Sequence, residues 1–383
     1  MAAKMAEKKS RQAPDDHVLP GVAVHFDIQG TFTAGRPYGS GHIHDTFLIE
    51  TKEKDRPKYI LQRINHAIFQ DVPAVMENIV RVTAHMRDKL NAGAKGGFHR
   101  EVLTVIPATD GRFFHHDEEG NYWRCYRFIE HARTFDLVPS PELALEGGRL
   151  FGGFLRLLAD LPGPPLHVTI AGFHDVGIHL QRFLDNLQAD PLGRGKAAAA
   201  AIAFVQARAE AMKRKQRLGQ AGRIPLRVTH NDTKFNNVLF DRQGRGLCVI
   251  DLDTVMPGYA HNDFGDAMRS GCNRAREDEP DLERVEFDLA LFAAYAKGFL
   301  APLRGCLNSH ETANLAFSAK LFAYLIGVRF LSDHLAGDRY FKTGYSGHNL
   351  QRARVQFRLL ECMEERFAQM EDIVSSLAAA GPA

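Results

Sequence analysis

The stretch Thr229–Asp253, "THNDTKFNNVLFDRQGRGLCVIDLD", restricts the folds open to this chain more than any other segment. His230, Asp232, Lys234, Asn236 and Asn237 crowd together just ahead of the apolar run Val238–Phe240. "VLF" and "LCVI" can pair across the turn "DRQGRG", whose glycines supply positive φ where a tight turn needs it. A hairpin this short carries the residue before its first strand close to the residue after its second. Asn237 and Asp251 are therefore expected to meet. An amide oxygen and a carboxylate are hard ligands of the kind that hold Mg2+ when phosphates and water complete its shell. Asp232, upstream on the loop, is then placed to reach the hydroxyl of an acceptor.

The remainder changes character after Glu130. Before it, "AVHFDI", the run Thr46–Thr51, "RPKYILQRIN", "REVLTVIPA", "RFFHHD" and "NYWRCYRFIE" read as strands, with "DEEGN" as the turn between the last two. One helix interrupts them in "DVPAVMENIVRVTAHMRDKL", where Val75, Ile79, Val82 and Met86 recur at helical spacing. After it, "SPELALEGGRLFGGFLRLLADL" starts with a cap-like Ser140 and Pro141 and continues as helix. "HDVGIHLQRFLDNL" and "AAAAAIAFVQARAEAMKRKQRL" are helical too, and the acidic "REDEPDLERVEFD" reads as a helix-like, solvated segment. Only Val228–Val255 returns to β character, and from Leu282 onward nearly everything is helix. The expected class is α+β and bilobal: a polar tail over 1–19, a β-rich lobe over 20–131 and an α-rich lobe over 132–376.

Composition removes several functions. Lysine plus arginine (48) nearly balances aspartate plus glutamate (46), and no long basic stripe occurs, so nucleic acid is not an expected partner. "MKRKQR", Met212–Arg217, reads as a solvated helix face. The five cysteines form no C-x-x-C pair and read as reduced thiols of a cytoplasmic protein. The N-terminus lacks the apolar core of a signal peptide. No membrane partner is expected, because no uninterrupted apolar run reaches the roughly 18 residues needed to span a bilayer. "LALFAAYAKGFLAPL" comes nearest, interrupted by Lys297 and ended by Pro302, and reads as a core helix.

His230, Asp232 and Asn237 match the spacing His-x-Asp-x-x-x-x-Asn of kinase catalytic loops, and Asp251 follows at hairpin distance. With "VIDLD" in place of D-F-G, the chain resembles the aminoglycoside phosphotransferase and choline kinase superfamily. Its fold, a bilobal protein-kinase-like one, follows from that resemblance, as do ATP and Mg2+. Asp232 becomes the base, Asn237 and Asp251 the metal ligands, and Lys234 a charge-neutralising partner of the phosphoryl group. His230 reads as structural. Asp263 and Asp266 in "HNDFGDAMR" resemble the family's downstream structural region. Gly39 and Gly41 sit on the turn expected to cover phosphates. Gln62 or Arg63 must stand in for the missing strand lysine; they alternate to opposite faces, which leaves the choice open. Glu77 is placed to pair with that residue, and Glu130 lies in the connector whose backbone would meet adenine.

"YGSGHIHDTFLI", "YILQRIN", "FHD", "DTVMPG" and "RFLSDHLAGDRYFK" extend the likeness to the N-acetylhexosamine 1-kinases. That resemblance implies transfer of phosphate to the C1 hydroxyl of a free sugar, with His42, Arg329 and Tyr340 joining Asp232 at the sugar. A kinase for choline, homoserine or an aminoglycoside is the alternative, and a nucleotide-binding protein without turnover a second. A zinc or two-metal hydrolase is disfavoured, because no further histidine cluster sits at ligand spacing. Neither the preferred sugar nor the oligomeric state is written in the sequence.

Overall fold

The computed structural model describes residues 18–39, 43–93 and 100–380. Gly41 and His42 lie outside the described residues, as does the start of the chain up to residue 17. Two compact units are present. One holds the described residues up to Thr83 together with Leu103–Glu130; the other holds those of Ala84–Val102 and the chain from His131 onward.

The first unit contains α1 (Val18–Ala23), β1 (Phe32–Pro37), β2 (Asp45–Thr51), β3 (Tyr59–Ile64), the start of α2 (Val72–Gly93), β4 (Val105–Ile106), β5 (His115–His116) and β6 (Tyr122–Arg127). The strands form one antiparallel sheet in the order β1-β2-β3-β6-β4, with β5 also on β6. Phe47, Ile49, Tyr59, Leu61, Trp123 and Cys125 make its core with Leu19, Val22 and Phe26.

Two expectations change here. "AVHFDI" is not a strand: Ala23 ends α1, Val24 and His25 form a turn, and only Phe26 makes a single antiparallel bridge, to Ala108. Val18 and Leu19, expected in a tail, belong to α1, and Leu19 is wholly buried. β1 went unforeseen because "FTAGRP" is a mostly exposed strand with little apolar signal. His115 stacks on His25, while His116 is exposed.

The second unit contains α3 (Pro141–Leu157), α4 (Val176–Ala189), α5 (Ala199–Met212), α6 (Arg214–Gln220), β7 (Arg227–Thr229), β8 (Val238–Phe240), β9 (Gly246–Val249) and β10 (Met256–Gly258). Then follow α7 (Ala260–Gly271), α8 (Leu289–Leu300), α9 (Ser309–Ala313), α10 (Leu315–Leu335), α11 (His348–Glu365) and α12 (Phe367–Ala379). The strands pair as two short ribbons, β8 with β9 and β7 with β10. α10 is long and apolar enough to cross a bilayer by length and composition; here it is a buried core helix, packed by α11, α7 and α4.

α3 shows how sequence positions the site. Ser140 caps it by accepting from the Leu143 N–H, and Pro141 opens it. Its glycines then allow very close approach to α8. A Cβ on Gly148 would stand 2.3 Å from the Tyr295 carbonyl oxygen, and one on Gly298 of α8 2.0 Å from that of Leu145. That contact seats Phe151 and Phe154 of α3 edge-on against the His230 ring, with centroids at 5.5 and 5.7 Å.

The expected helical character of "REDEPDLERVEFD" reduces to one 3-10 turn at Leu282–Arg284, because Pro280 removes a backbone donor mid-segment. The helix expected through "MKRKQR" breaks at Lys213 into α5 and α6. Nor is that cluster a wholly solvated face, since Lys215 is only 6% exposed.

Candidate active site

The quoted stretch folds as its pattern implies. Val238 pairs with Val249 and Leu239 with Cys248, and the Ile250 N–H donates to the Asn237 carbonyl at 2.9 Å. Asn237 thus stands at the hairpin mouth beside the Ile250–Asp251 end. Asp251 is exposed and holds a left-handed backbone (φ +62), which turns the chain into a 3-10 turn at Leu252–Thr254.

The loop before the hairpin is held from beneath by α7. The Asp263 carboxylate accepts the His230 N–H at 2.9 Å and the Asn231 N–H at 2.8 Å. The Thr233 hydroxyl donates to the Asp263 carbonyl at 2.6 Å. Asn231 itself is left-handed (φ +65), a conformation asparagine tolerates better than most residues. Its side-chain amide donates to the carbonyls of Thr229 and Thr254. His230 has both ring nitrogens committed to backbone: Nδ1 accepts the Asp232 N–H at 3.2 Å and Nε2 donates to the Ile250 carbonyl at 2.9 Å. With its faces covered by Phe151 and Phe154, this histidine has no atom left for substrate.

Asp232 is therefore presented by a pinned backbone. The Asn237 amide donates to its carbonyl at 2.8 Å and its Oδ2 at 3.1 Å, which leaves Asn237 Oδ1 for a cation. Lys234 Nζ lies 3.3 Å from Asp232 Oδ2, and both side chains keep partial exposure. Burial alone would push the Asp232 carboxyl up; Lys234, His230 and Arg269 outweigh it and hold the group below the usual carboxylate range. The Asp232 charge, foremost, in turn raises Lys234.

Further charges complete the cluster. On α7, Arg269 donates from Nε to Asp266 Oδ1 at 2.8 Å, and both side chains are buried. Burial raises the Asp266 carboxyl, and its Oδ2 has no hydrogen-bond partner. Arg329 extends from α10, half-buried, with its guanidinium 5.2, 5.9 and 5.7 Å from the rings of Phe173, Tyr340 and Phe341. It also feels the charges of Asp266 and Arg269. Among the described residues no carboxylate forms an ion pair with it.

The Tyr340 loop is built around one carboxylate. Asp333 Oδ1 accepts the N–H groups of Arg339 and Tyr340, both at 2.8 Å. Its Oδ2 accepts the Phe341 N–H and the Asn349 amide, both at 2.9 Å. Removing this anchor should free the loop that carries Tyr340. Asp333→Ala is expected to raise the acceptor KM roughly ten- to a hundredfold with little change in the KM for ATP. Steady-state kinetics with each substrate varied in turn checks this; an unchanged acceptor KM would speak against the anchor.

The first unit disposes its candidates as follows. Gly39 follows β1 in a left-handed conformation (φ +81). Arg63 points to the apolar-core side of the sheet and pairs with Asp45 through Nε and Nη2 at 2.9 and 2.7 Å. Gln62 lies on the other face, donating to Thr46 Oγ1 and accepting from Arg124 Nε, both at 2.9 Å. A buried guanidinium one strand away thus shares the face of Gln62. Glu77 is half-exposed on α2 with Arg81 at 3.8 Å, one turn on. Glu130 is exposed and is the last residue of this unit.

Asp333, Phe173 and Arg124 were missed in the sequence as site residues, and so was Arg269. Only Arg269 carried a signal, standing three residues after Asp266 in "DFGDAMR", a spacing that pairs opposite charges on one helix face.

Comparison with known proteins bears on the fold and the family. A microcompartment-associated aminopropanol kinase superposes with a TM-score of 0.64 at 18% identity, over 93% of this chain and 99% of the other. The aminoglycoside phosphotransferase of Alicyclobacillus acidocaldarius gives 0.61 at 13%, over 96% and 99%. An amicoumacin kinase solved with AMP-PNP and Ca2+ gives 0.59 at 12%, over 91% and 93%. At these identities the likeness is one of fold, a small antiparallel-sheet unit plus a large helical one, as in the protein kinases. The profile of the phosphotransferase enzyme family matches residues 34–305, a span that includes the whole catalytic loop, the hairpin and α7, and the chain belongs to that family.

Proposed function

We propose that this small-molecule kinase transfers the γ-phosphoryl group of ATP to the anomeric C1 hydroxyl of an N-acetylhexosamine, releasing a sugar 1-phosphate. The observation that carries the choice of acceptor is Arg329. It is a permanent cation with no ion-pair partner among the described residues, and it interacts with the cluster around Asp232. Lys234 and Arg269 there are met by Asp232, Asp251, Asp266 and Glu277, which leaves Arg329 as the cation without an ion pair. The three aromatic rings that could cage a quaternary ammonium already surround the protein's own guanidinium. Choline or a polycationic aminoglycoside placed beside Arg329 would meet its unpaired charge, whereas a neutral, N-acetylated sugar offers hydroxyl and carbonyl oxygens to Arg329 and Tyr340. The segments "DTVMPG" and "RFLSDHLAGDRYFK" support the same reading.

Asp232 orients the C1 hydroxyl and takes its proton as the bond to phosphorus forms. A hemiacetal hydroxyl is more acidic than a simple alcohol, so a carboxylate held below its usual range is base enough. Phosphoryl transfer through a loose transition state asks mainly for positioning and charge stabilisation. Lys234, beside the base, balances charge that builds on the transferring group. Asn237 Oδ1 and the Asp251 carboxylate are hard oxygen donors gathered by one hairpin, a set that suits Mg2+. When bound, Mg2+ would neutralise phosphate charge.

ADP release measured with Mg2+–ATP and a panel of acceptors tests the reading. Turnover is expected with N-acetylglucosamine or N-acetylgalactosamine and not with choline, homoserine or an aminoglycoside. Turnover with the cationic acceptors alone would overturn it.

A further inference from the structure

Beside the catalytic loop, against Asn231 and Phe173, the second unit has a pocket of about 280 Å3 whose lining does not include Asp232, Arg329 or Tyr340. Its polar lining includes His174, Asp175, Lys215, Gln216, Gln220 and Tyr259. Lys215, the residue expected on a solvated face, is its buried cation. Nζ donates to Asn262 Oδ1 at 2.7 Å and to the His174 carbonyl at 3.4 Å, which leaves one N–H unused. The rings of Tyr259 and Phe322 lie 5.8 and 5.5 Å away. Among the described residues no carboxylate comes within ion-pair distance; the charge that Lys215 feels is that of Asp175, farther off. Burial pulls its pKa down to about 8. His174 is also buried: Nε2 donates to the Asn231 carbonyl at 2.7 Å, and Nδ1 has no partner.

A buried ammonium without a counter-ion is costly, and lysines ordinarily extend their heads to water instead. A lysine kept at a pocket wall in this state is accounted for when the counter-ion arrives as a ligand. We propose that this pocket binds a small organic carboxylate, with Lys215 as its counter-ion and Gln216, Gln220 and Tyr259 supplying further hydrogen bonds. One cation, with Asp175 also on the wall, suits a single negative charge better than the two of a phosphate. The occupant would lie close to the catalytic loop. Asn262, which holds Lys215, donates to Asn231 Oδ1 at 2.9 Å, and His174 bonds the Asn231 carbonyl; Asn231 directly precedes Asp232.

Calorimetric titration of the full chain with lactate, and separately with inorganic phosphate, in the absence of nucleotide tests this. Saturable lactate binding is expected for the wild type. It should weaken about tenfold or more in Lys215→Met, because the buried charge partner is lost. Val168→Trp provides a second variant, since Val168 lines the pocket and is 62% exposed, so the ring narrows the entrance without touching the core. It should weaken binding similarly, while Arg329→Gln should leave it unchanged. The proposal is overturned by an absence of saturable lactate binding, by binding independent of Lys215, by loss of binding in Arg329→Gln, or by Lys215-dependent binding of phosphate tighter than that of lactate.

Discussion

Asp232→Asn is expected to lower kcat by roughly two to four orders of magnitude, the range typical of a positioned general base. The amide is nearly isosteric, and the loop that presents it is pinned independently by Asp263, Thr254 and His230. Nucleotide affinity should therefore stay within a few-fold of the wild type. Coupled ADP-release kinetics together with nucleotide titration checks both halves. A variant that turns over near the wild-type rate would remove Asp232 from the chemistry.

Asp263→Ala is expected to be the most damaging change outside the reacting groups. This carboxylate is fully buried and satisfies two successive backbone N–H groups. Each donor left unpaired in the interior costs about 1–3 kcal/mol, so a loss of roughly 2–6 kcal/mol is expected, with activity lost as the loop relaxes. Urea unfolding followed by circular dichroism measures the first and steady-state kinetics the second. A pH dependence accompanies it. Burial, foremost, pushes the Asp263 carboxyl up to about 6, from an ordinary 3.8. Between those values the folded chain retains a proton that the unfolded chain has released. This group's contribution therefore makes stability fall as pH rises from about 4 to about 6 and levels off above. Asp263→Asn should remove that slope. An unchanged slope, or wild-type stability in Asp263→Ala, would contradict the role of this residue.

The parts of the site that are local in sequence were legible there. Hairpin length and turn chemistry suffice to bring Asn237 toward Asp251, because strand pairing is set by the "VLF" and "LCVI" runs themselves. The two-lobed α+β character followed from a change of period after Glu130. What stayed hidden depends on tertiary partners. Asp333 anchors the Tyr340 loop through backbone donors, which carry no residue identity. Lys215 looked solvated because "MKRKQR" is basic throughout; its burial depends on Phe322 and Tyr259, far away in sequence. The choice between Gln62 and Arg63 needed the register of β2, β3 and β6, which sets Arg63 against Asp45 and Gln62 beside Arg124. "AVHFDI" alternates as a strand would, but beyond Ala23 it turns and pairs only at Phe26, through one bridge to Ala108.

Arg329 carries a charge with no ion-pair partner among the described residues, and it already fills the aromatic cage of Phe173, Tyr340 and Phe341. These features argue against a cationic acceptor; a neutral sugar, with its anomeric hydroxyl as the reacting group, is proposed from the likeness to the N-acetylhexosamine 1-kinases. Phosphorus NMR of the product formed from Mg2+–ATP and N-acetylglucosamine or N-acetylgalactosamine tests that claim most directly. The expected result is a phosphomonoester resonance split by the anomeric proton, absent when Asp232→Asn replaces the wild type. A product resonance coupled to the C6 protons, or a phosphorylated product obtained only from choline, homoserine or an aminoglycoside, would contradict it.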